Sequence, residues 1–117
     1  MYELLSARAS KVKTKQFIYI WAFEVRPGRE VEFERAYGPA GDWERLFRRA
    51  PGYLQTELLQ DTTNPKRYLT IDHWESEAAQ RAFREKFAIE FSQIDKACEE
   101  LTDSETVIGH FTLLTTE

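Results

Sequence analysis

Apolar side chains change their spacing from one segment of the chain to the next. Residues 17–25, FIYIWAFEV, are dense in β-branched and aromatic residues and are followed by Pro27-Gly28, which predicts a first strand. Both faces of this strand are apolar. We therefore expect it to lie in the middle of a sheet that is covered on both sides.

The next segment has the spacing of a helix. From Arg29 onward, apolar residues gather on one side until Gly38-Pro39-Ala40-Gly41 interrupts them. The helical spacing resumes after Asp42, a candidate N-cap, and stops at Pro51-Gly52. We predict a first helix in two segments with a break between them.

A hairpin and a second helical region follow. Residues 53–60 and 68–74 alternate closely enough to predict two strands joined by a turn that contains Asn and Pro. Ser76 is a candidate N-cap for an apolar stripe that runs to Leu101, with a candidate break near Ala88. This region is predicted to be helical.

Residues 106–114 predict a last strand, which completes the order β-α-β-β-α-β. That order is the split βαβ unit of the ferredoxin-like class, an α+β fold with an antiparallel sheet and two helices on one face. The other face would leave an apolar surface exposed, so we predict a symmetric homodimer whose bare sheet faces pack together as a dimeric α/β barrel. Residues 1–16 are predicted to form an N-terminal arm before a domain of residues 17–117.

Composition narrows the functional classes. Three Trp, five Tyr and eight Phe exceed the need of a minimal core, which favours either a core with a subunit interface or an aromatic ligand cavity. A net charge of -4 argues against nucleic-acid binding. With no apolar run of membrane-spanning length and no signal peptide, we expect a soluble, cytoplasmic protein. The one cysteine, Cys98, lies on a helical stripe and is predicted to be a buried thiol, and no ligand spacing predicts a metal site.

Several short motifs occur in order along the chain. They are Trp21-x-Phe23-x-Val25-x-Pro27-Gly28, Phe33, Trp43 before Leu46-Phe47, Pro51-Gly52-Tyr53, Tyr68-x-Thr70-x-x-x-Trp74-x-Ser76, Phe83 and Ile108-Gly109. Together they resemble the antibiotic biosynthesis monooxygenase-like family of the dimeric α/β-barrel superfamily, over nearly everything from Phe17 to Leu114. The resemblance implies the fold, the dimer and a cleft between the sheet and the helices.

The family resemblance also bears on chemistry. Its haem-degrading branch has a functional Asn, Trp and His where this chain holds Ile20, Phe83 and Gln93, which argues against that branch. The cofactor-free members resembled here are thought to deprotonate an electron-rich phenol and let the resulting anion react with dioxygen. Such chemistry implies an apolar cavity with a few polar groups and no metal or flavin.

Candidate site residues follow from this requirement. The candidate catalytic residues are His73, His110, Asp72 and Tyr37, and the candidate ligand-binding residues are Trp21, Phe23, Trp43, Trp74, Phe83 and Phe87. Because side chains alternate along a strand, Asp72 and Trp74 are expected on one face and His73 on the other. Each candidate has a structural alternative: a hydrogen-bonded or exposed histidine, an exposed carboxylate at a strand end, or an aromatic ring that only packs.

The leading functional hypothesis is a cofactor-independent monooxygenase, an oxidoreductase that acts on a small aromatic or hydrophobic metabolite. The alternative is a non-catalytic ligand-binding or stress-responsive dimeric barrel. A polar group with a perturbed pKa inside a cavity between sheet and helices would favour the enzyme. A space packed shut by aromatic side chains would favour the alternative.

Overall fold

Four strands form one antiparallel sheet in the order β2-β3-β1-β4. The computed structural model describes residues 15–114. The strands are β1 (Phe17–Val25), β2 (Tyr53–Gln60), β3 (Arg67–Trp74) and β4 (Thr102–Thr112). Because β1 pairs with β3 on one side and β4 on the other, it lies inside the sheet, as its two apolar faces predicted.

Helical segments connect the strands in two pairs. The first pair is α1 (Glu30–Tyr37) and α2 (Asp42–Phe47); the second is α3 (Glu77–Lys86) and α4 (Ala88–Cys98), followed by a 3₁₀ turn at Glu99–Leu101. The predicted interruptions of both helical regions are therefore present. Ser76 caps α3 as predicted, since its Oγ accepts a hydrogen bond of 3.1 Å from the backbone N–H of Ala79.

The core lies between the helices and one face of the sheet. Most of its buried side chains come from the four helices and from alternate positions of β1 and β3. They are Phe17, Phe23, Val25, Phe33, Tyr37, Trp43, Leu46, Phe47, Ala50, Tyr68, Trp74, Phe83, Phe87, Cys98 and Leu101. Cys98 is only 3% exposed, which confirms the prediction of a buried thiol.

The element order confirms the predicted α+β, ferredoxin-like class, and several boundaries differ from the prediction. β3 begins one residue early, at Arg67, and β4 ends at Thr112 and not at residue 114. The last strand starts at Thr102 and not at residue 106, because Thr102 already pairs with Val25 across the ladder. Asp42 is the first residue of α2 and not its cap; Gly41 occupies the cap position. A Cβ on Gly41 would lie 2.4 Å from the carbonyl oxygen of Arg35, so only glycine fits this close approach.

The second face of the sheet has no helix of residues 15–114 packed on it. Its apolar side chains include Ile18 and Ile20 of β1 and Ile71 of β3, which pair with residues of the neighbouring strands. Leu59 is 44% exposed and Phe111 is 46% exposed. We call this surface the bare sheet face.

The predicted N-terminal arm, residues 1–16, lies outside the described residues except for Lys15 and Gln16. In the part of the chain that is described, no helix has both the length and the apolar character that crossing a membrane requires.

Candidate functional site

A cavity of about 280 Å³ lies between the helix-facing side of the sheet and the helices. Alternation along β1 and β3 places two sets of side chains on its floor, one starting at Tyr19 and the other at Thr70. The cavity is lined by Tyr19, Trp21, Phe23, Tyr37, Trp43, Phe47, Thr56, Thr70, Asp72, Trp74, Gln80, Phe83, Arg84, Phe91, Asp95 and Glu105. Most of this lining is aromatic, which suits a flat apolar ligand.

The aromatic rings of β1 form a continuous layer on the cavity floor. Trp21 stacks on Tyr19, with ring centroids 5.5 Å apart and planes 14° apart, and on Phe23, with centroids 6.2 Å apart and planes 20° apart. On the helical side, Trp43 contacts Phe91 edge to face at 4.9 Å. Rings held by neighbouring rings keep their orientation, so the cavity walls are preorganised.

Asp72 is the buried carboxylate of the cavity, only 7% exposed. The Thr56 hydroxyl donates a hydrogen bond of 2.7 Å to its Oδ1, and the Tyr53 hydroxyl donates one of 2.8 Å to Thr56. Burial raises the pKa of Asp72 to about 6, against the smaller opposing effects of the Thr56 hydrogen bond and of nearby His73. A carboxyl group with this pKa can accept and return a proton near neutral pH.

Three polar groups meet at the break between α1 and α2. The Trp43 indole and the Tyr37 hydroxyl lie next to each other and next to the Cys98 thiol. Burial raises the pKa of Tyr37 far above its usual value and raises that of Cys98 as well, so both groups stay protonated. Tyr37 and Trp43 line the cavity, whereas Cys98 is not part of the lining.

Apart from Asp72, the ionisable acidic and basic side chains of the lining lie on its exposed part, which we call the mouth. Arg84, Asp95 and Glu105 belong to it. The Arg84 guanidinium lies over the Phe91 ring, 4.0 Å from its centroid. Partial burial, followed by the charge of Asp95, raises the pKa of Glu105. The mouth is therefore polar and the interior apolar around one carboxyl group.

A smaller cavity of about 180 Å³ adjoins the first, between the α1–α2 break and β2. Both cavities are lined by Tyr37, Trp43 and Thr56, which therefore separate them. Across residues 15–114, no three His, Cys, Asp or Glu side chains are grouped so as to hold a metal ion.

The structure brings two of the four candidate catalytic residues into the cavity, namely Asp72 and Tyr37. His73 points to the bare sheet face, as the alternation predicted, and its Nε2 lies 2.9 Å from a carboxylate oxygen of Glu57. His110 is exposed and contacts the Tyr19 ring at 4.3 Å without lining the cavity.

Five of the six candidate ligand-binding residues line the cavity: Trp21, Phe23, Trp43, Trp74 and Phe83. The sixth, Phe87, does not. It packs behind Phe83, with ring centroids 5.6 Å apart, and the Arg49 guanidinium lies over its outer side at 5.0 Å.

Sequence reasoning missed two threonines that line the cavity, Thr56 and Thr70. The signal for Thr70 is its position two residues before Asp72, which places both on one strand face. The signal for Thr56 is the hairpin register, since it pairs directly with Asp72. The polar residues of the mouth carry no comparable signal, because exposed charges are common on any helix.

The fold and the cavity together define a ferredoxin-like α+β protein with an aromatic pocket between sheet and helices. A family model described as antibiotic biosynthesis monooxygenase matches residues 17–89, and the chain belongs to this family. This finding confirms the resemblance that the sequence motifs carry. Among proteins with curated functions, none matches the chain.

Solved structures have the same fold. SnoaB from Streptomyces nogalater, a cofactor-independent oxygenase, is 22% identical with a TM-score of 0.66, covering 87% of this chain and 96% of its own. A Bordetella bronchiseptica protein that bears the family's name is 24% identical, with a TM-score of 0.68 over 86% of this chain and 99% of its own. PA3566 from Pseudomonas aeruginosa is 21% identical, with a TM-score of 0.62, covering 87% of this chain and 96% of its own.

Proposed function

We propose that this protein is a cofactor-independent monooxygenase that acts on a small aromatic or otherwise hydrophobic metabolite. The observation that carries the proposal is a buried carboxyl group, Asp72, in the wall of an aromatic cavity, with a pKa of about 6. Family membership and the similarity in fold to SnoaB, a cofactor-independent oxygenase, support the same reaction class. A volume of about 280 Å³ is just below the usual range for ligand pockets, which favours a substrate of one or two rings.

In this proposal Asp72 is the general base. Its carboxylate takes the proton of a phenolic hydroxyl, and the electron-rich phenolate forms a carbon–oxygen bond with dioxygen. Loss of water then leaves a quinone, so one oxygen atom of dioxygen enters the product and the other leaves in water. The Thr56 hydroxyl orients the carboxylate, and the Tyr53 hydroxyl continues the hydrogen-bond chain away from it.

Oxygen uptake with a panel of phenols and naphthols, including 1-naphthol, tests the proposal. We expect uptake with matching quinone formation, and a loss of at least about a hundredfold in Asp72→Asn, because general bases contribute roughly 10²–10⁴-fold. Asp103→Asn is the matched control, since Asp103 is an exposed carboxylate paired with Arg26 at 3.3 Å and is not in the lining.

The outcomes separate the two functional classes. Neither turnover nor binding across the panel would remove the proposal. Tight binding of an aromatic compound without oxygen uptake would favour a non-catalytic ligand-binding protein. Full activity in Asp72→Asn would leave an oxygenase whose base is a different group.

We also propose that the protein is a homodimer joined through the bare sheet face. Exposed apolar side chains on that face, such as Leu59 and Phe111, support a second copy as the cover, because isolated monomers rarely expose wide apolar sheets. Sedimentation tests it: the chain of 13.8 kDa is expected to run at twice that mass, and Ile71→Asp at the mass of one chain. Ile89→Asp is the matched control, because Ile89 is 73% exposed on α4. A monomeric parent protein would contradict the proposal.

A further inference from the structure

Asp72 has a tyrosine as its direct neighbour on the cavity floor. Tyr19 of β1 pairs with Asp72 of β3 across the antiparallel ladder, and both side chains line the cavity. Residues that are directly opposed in this way stand on the same face of a sheet, with Cβ atoms about 4.5–5.5 Å apart. One oxygen atom of a ligand can therefore lie close to both side chains.

The two side chains offer complementary polar atoms to a ligand. Asp72 Oδ1 accepts the hydrogen bond from Thr56, whereas its Oδ2 accepts none from the residues that the structure describes. The Tyr19 hydroxyl also makes no hydrogen bond within residues 15–114. Neither oxygen is enclosed, because the one enclosed and unpaired side-chain nitrogen or oxygen of these residues is the indole nitrogen of Trp43. An acceptor and a donor are thus both open to the cavity.

Neighbouring rings fix the direction of the Tyr19 side chain. Its ring stacks on Trp21 at 5.5 Å between centroids, and it contacts Phe17 at 6.3 Å and His110 at 4.3 Å. Tyr19 is half-buried, and strand side chains stand roughly perpendicular to the sheet. The hydroxyl at the end of this packed ring is therefore directed from the floor into the cavity, and little freedom is lost when it binds a ligand.

The proposed reaction places a charge beside this hydroxyl. When Asp72 takes the proton of a bound phenol, the carboxyl group becomes neutral and negative charge develops on the phenolic oxygen. A preorganised donor inside an apolar cavity stabilises such a charge more than water does, because it needs no reorientation during the reaction. Tyr19 is the donor next to Asp72 on the cavity floor.

We propose that the Tyr19 hydroxyl donates a hydrogen bond to the phenolate oxygen of the ligand while Asp72 holds the proton. Tyr19 is then a catalytic residue, and the ligand is a phenol whose oxygen lies over β1 and β3. The inference deepens the proposed function and rests on it for the reaction. The hydrogen bond to a bound phenolate is measurable without turnover.

A chromogenic phenol tests the hydrogen bond. 4-Nitrophenol is too electron-poor for this oxygenation, and its phenolate form absorbs visible light, so a pH titration of the complex gives the pKa of the bound phenol. We expect Tyr19→Phe to raise that pKa by about 1, which is a tenfold loss of affinity for the phenolate relative to the phenol. The variant should fold as the parent does, because it keeps the ring and removes no hydrogen bond within residues 15–114. No saturable binding to the parent protein, or an unchanged pKa, overturns the proposal.

Tyr37→Phe is the matched control, because it removes a hydroxyl from another ring of the same cavity. The Tyr37 ring contacts Phe23, which is four residues from Tyr19 and about 13 Å along an extended strand. The pKa of bound 4-nitrophenol should keep its parent value in this control, and equal rises in both variants overturn the proposal. All three proteins share the remaining ionisable groups around Tyr19 and at the mouth, which are Asp72, Arg84, Asp95, Glu105 and His110.

Turnover of 1-naphthol provides a second readout. We expect kcat to fall at least about tenfold in Tyr19→Phe while KM stays within about threefold, because one donor to a developing oxyanion contributes roughly 10²–10³-fold. A raised pKa of bound 4-nitrophenol with an unchanged kcat would make Tyr19 a binding residue only and would overturn its catalytic role.

Failure of this inference and failure of the proposed function give different results. A raised pKa in Tyr19→Phe, without oxygen uptake by the parent protein, retains the hydrogen bond from Tyr19 and removes the oxygenase. Oxygen uptake by the parent protein, with the same pKa of bound 4-nitrophenol in Tyr19→Phe, retains the oxygenase and removes the role of Tyr19.

Discussion

Replacing Asp72 by asparagine is expected to stabilise the protein at neutral and higher pH. The folded state raises the pKa of this carboxyl group from 3.8 to about 6, mainly because burial disfavours the charged form. Below pH 3.8 the group is protonated in the folded and unfolded states, and ionisation costs the fold nothing. As the pH rises from 3.8 to 6, the unfolded chain releases the proton more readily, so stability is lost across this window.

The size of the effect follows from the same pKa shift. One pKa unit corresponds to about 1.4 kcal/mol, so the charged carboxylate lowers the free energy of unfolding by about 3 kcal/mol at pH 8 and by well under 1 kcal/mol at pH 4. Asparagine has nearly the same shape, cannot ionise, and can still accept the hydrogen bond from Thr56 through its amide oxygen. We expect Asp72→Asn to recover about 1–3 kcal/mol at pH 8, the range allowing for imperfect pairing of the new amide.

Urea denaturation of both proteins at several values between pH 4 and pH 8 is the assay. Protein concentration must be equal throughout, because dimerisation would add a concentration-dependent term. The two free energies of unfolding should be close at pH 4 and should diverge up to about pH 6. Over this range Asp72→Asn should become the more stable protein. A variant less stable than the parent at pH 8, or a difference independent of pH, would refute the reasoning. If Asp72→Asn both gains stability and loses oxygen uptake, then Asp72 serves activity while lowering the free energy of unfolding.

Three further predictions concern the hydrogen bond from Thr56 to Asp72, the N-cap of α3 at Ser76, and Gly52, which packs against the first turn of α3. Thr56→Val removes the hydrogen bond that lowers the pKa of Asp72, so the acid limb of the rate–pH profile should move to higher pH, while Thr56→Ser should restore it. Ser76→Ala should lower the free energy of unfolding by about 1 kcal/mol in urea titrations, because the N–H of Ala79 loses its cap. Gly52→Ala should lower it by about 2 kcal/mol or more, since φ is +91° and the new Cβ would lie 2.6 Å from Cβ of Ala79; an unchanged midpoint would contradict this.

The sequence predicts most of the fold because the main elements carry strong local signals. β1 and β2 have the predicted bounds, since turn residues follow the first and precede the second. The early start of β4 had no such signal. Residues 102–105 are polar and mostly exposed, and they become strand because β1 offers them a ladder partner, which is a tertiary effect.

The site was less predictable than the fold. Alternation along β3 correctly separates His73 from Asp72, and the motifs include most of the aromatic side chains of the cavity wall. A stripe of rings does not reveal which ring faces a space and which packs behind another, so the pattern wrongly predicts Phe87 in the cavity wall. The surroundings of Asp72 also include Thr56 of β2, its ladder partner, which lies 16 residues earlier in the sequence. The cytoplasmic location stays a prediction.

The arrangement of β1 has a consequence for how this protein can diverge. Tyr19, Trp21 and Phe23 line the cavity, and the residues between them face the surface proposed for dimerisation. Point substitutions can therefore alter ligand preference and subunit assembly independently, although both are encoded in one nonapeptide. An insertion or deletion of a single residue in that strand would exchange the two sets and damage both properties together. Variation in β1 among descendants of this chain should accordingly accumulate as substitutions, with its length held constant.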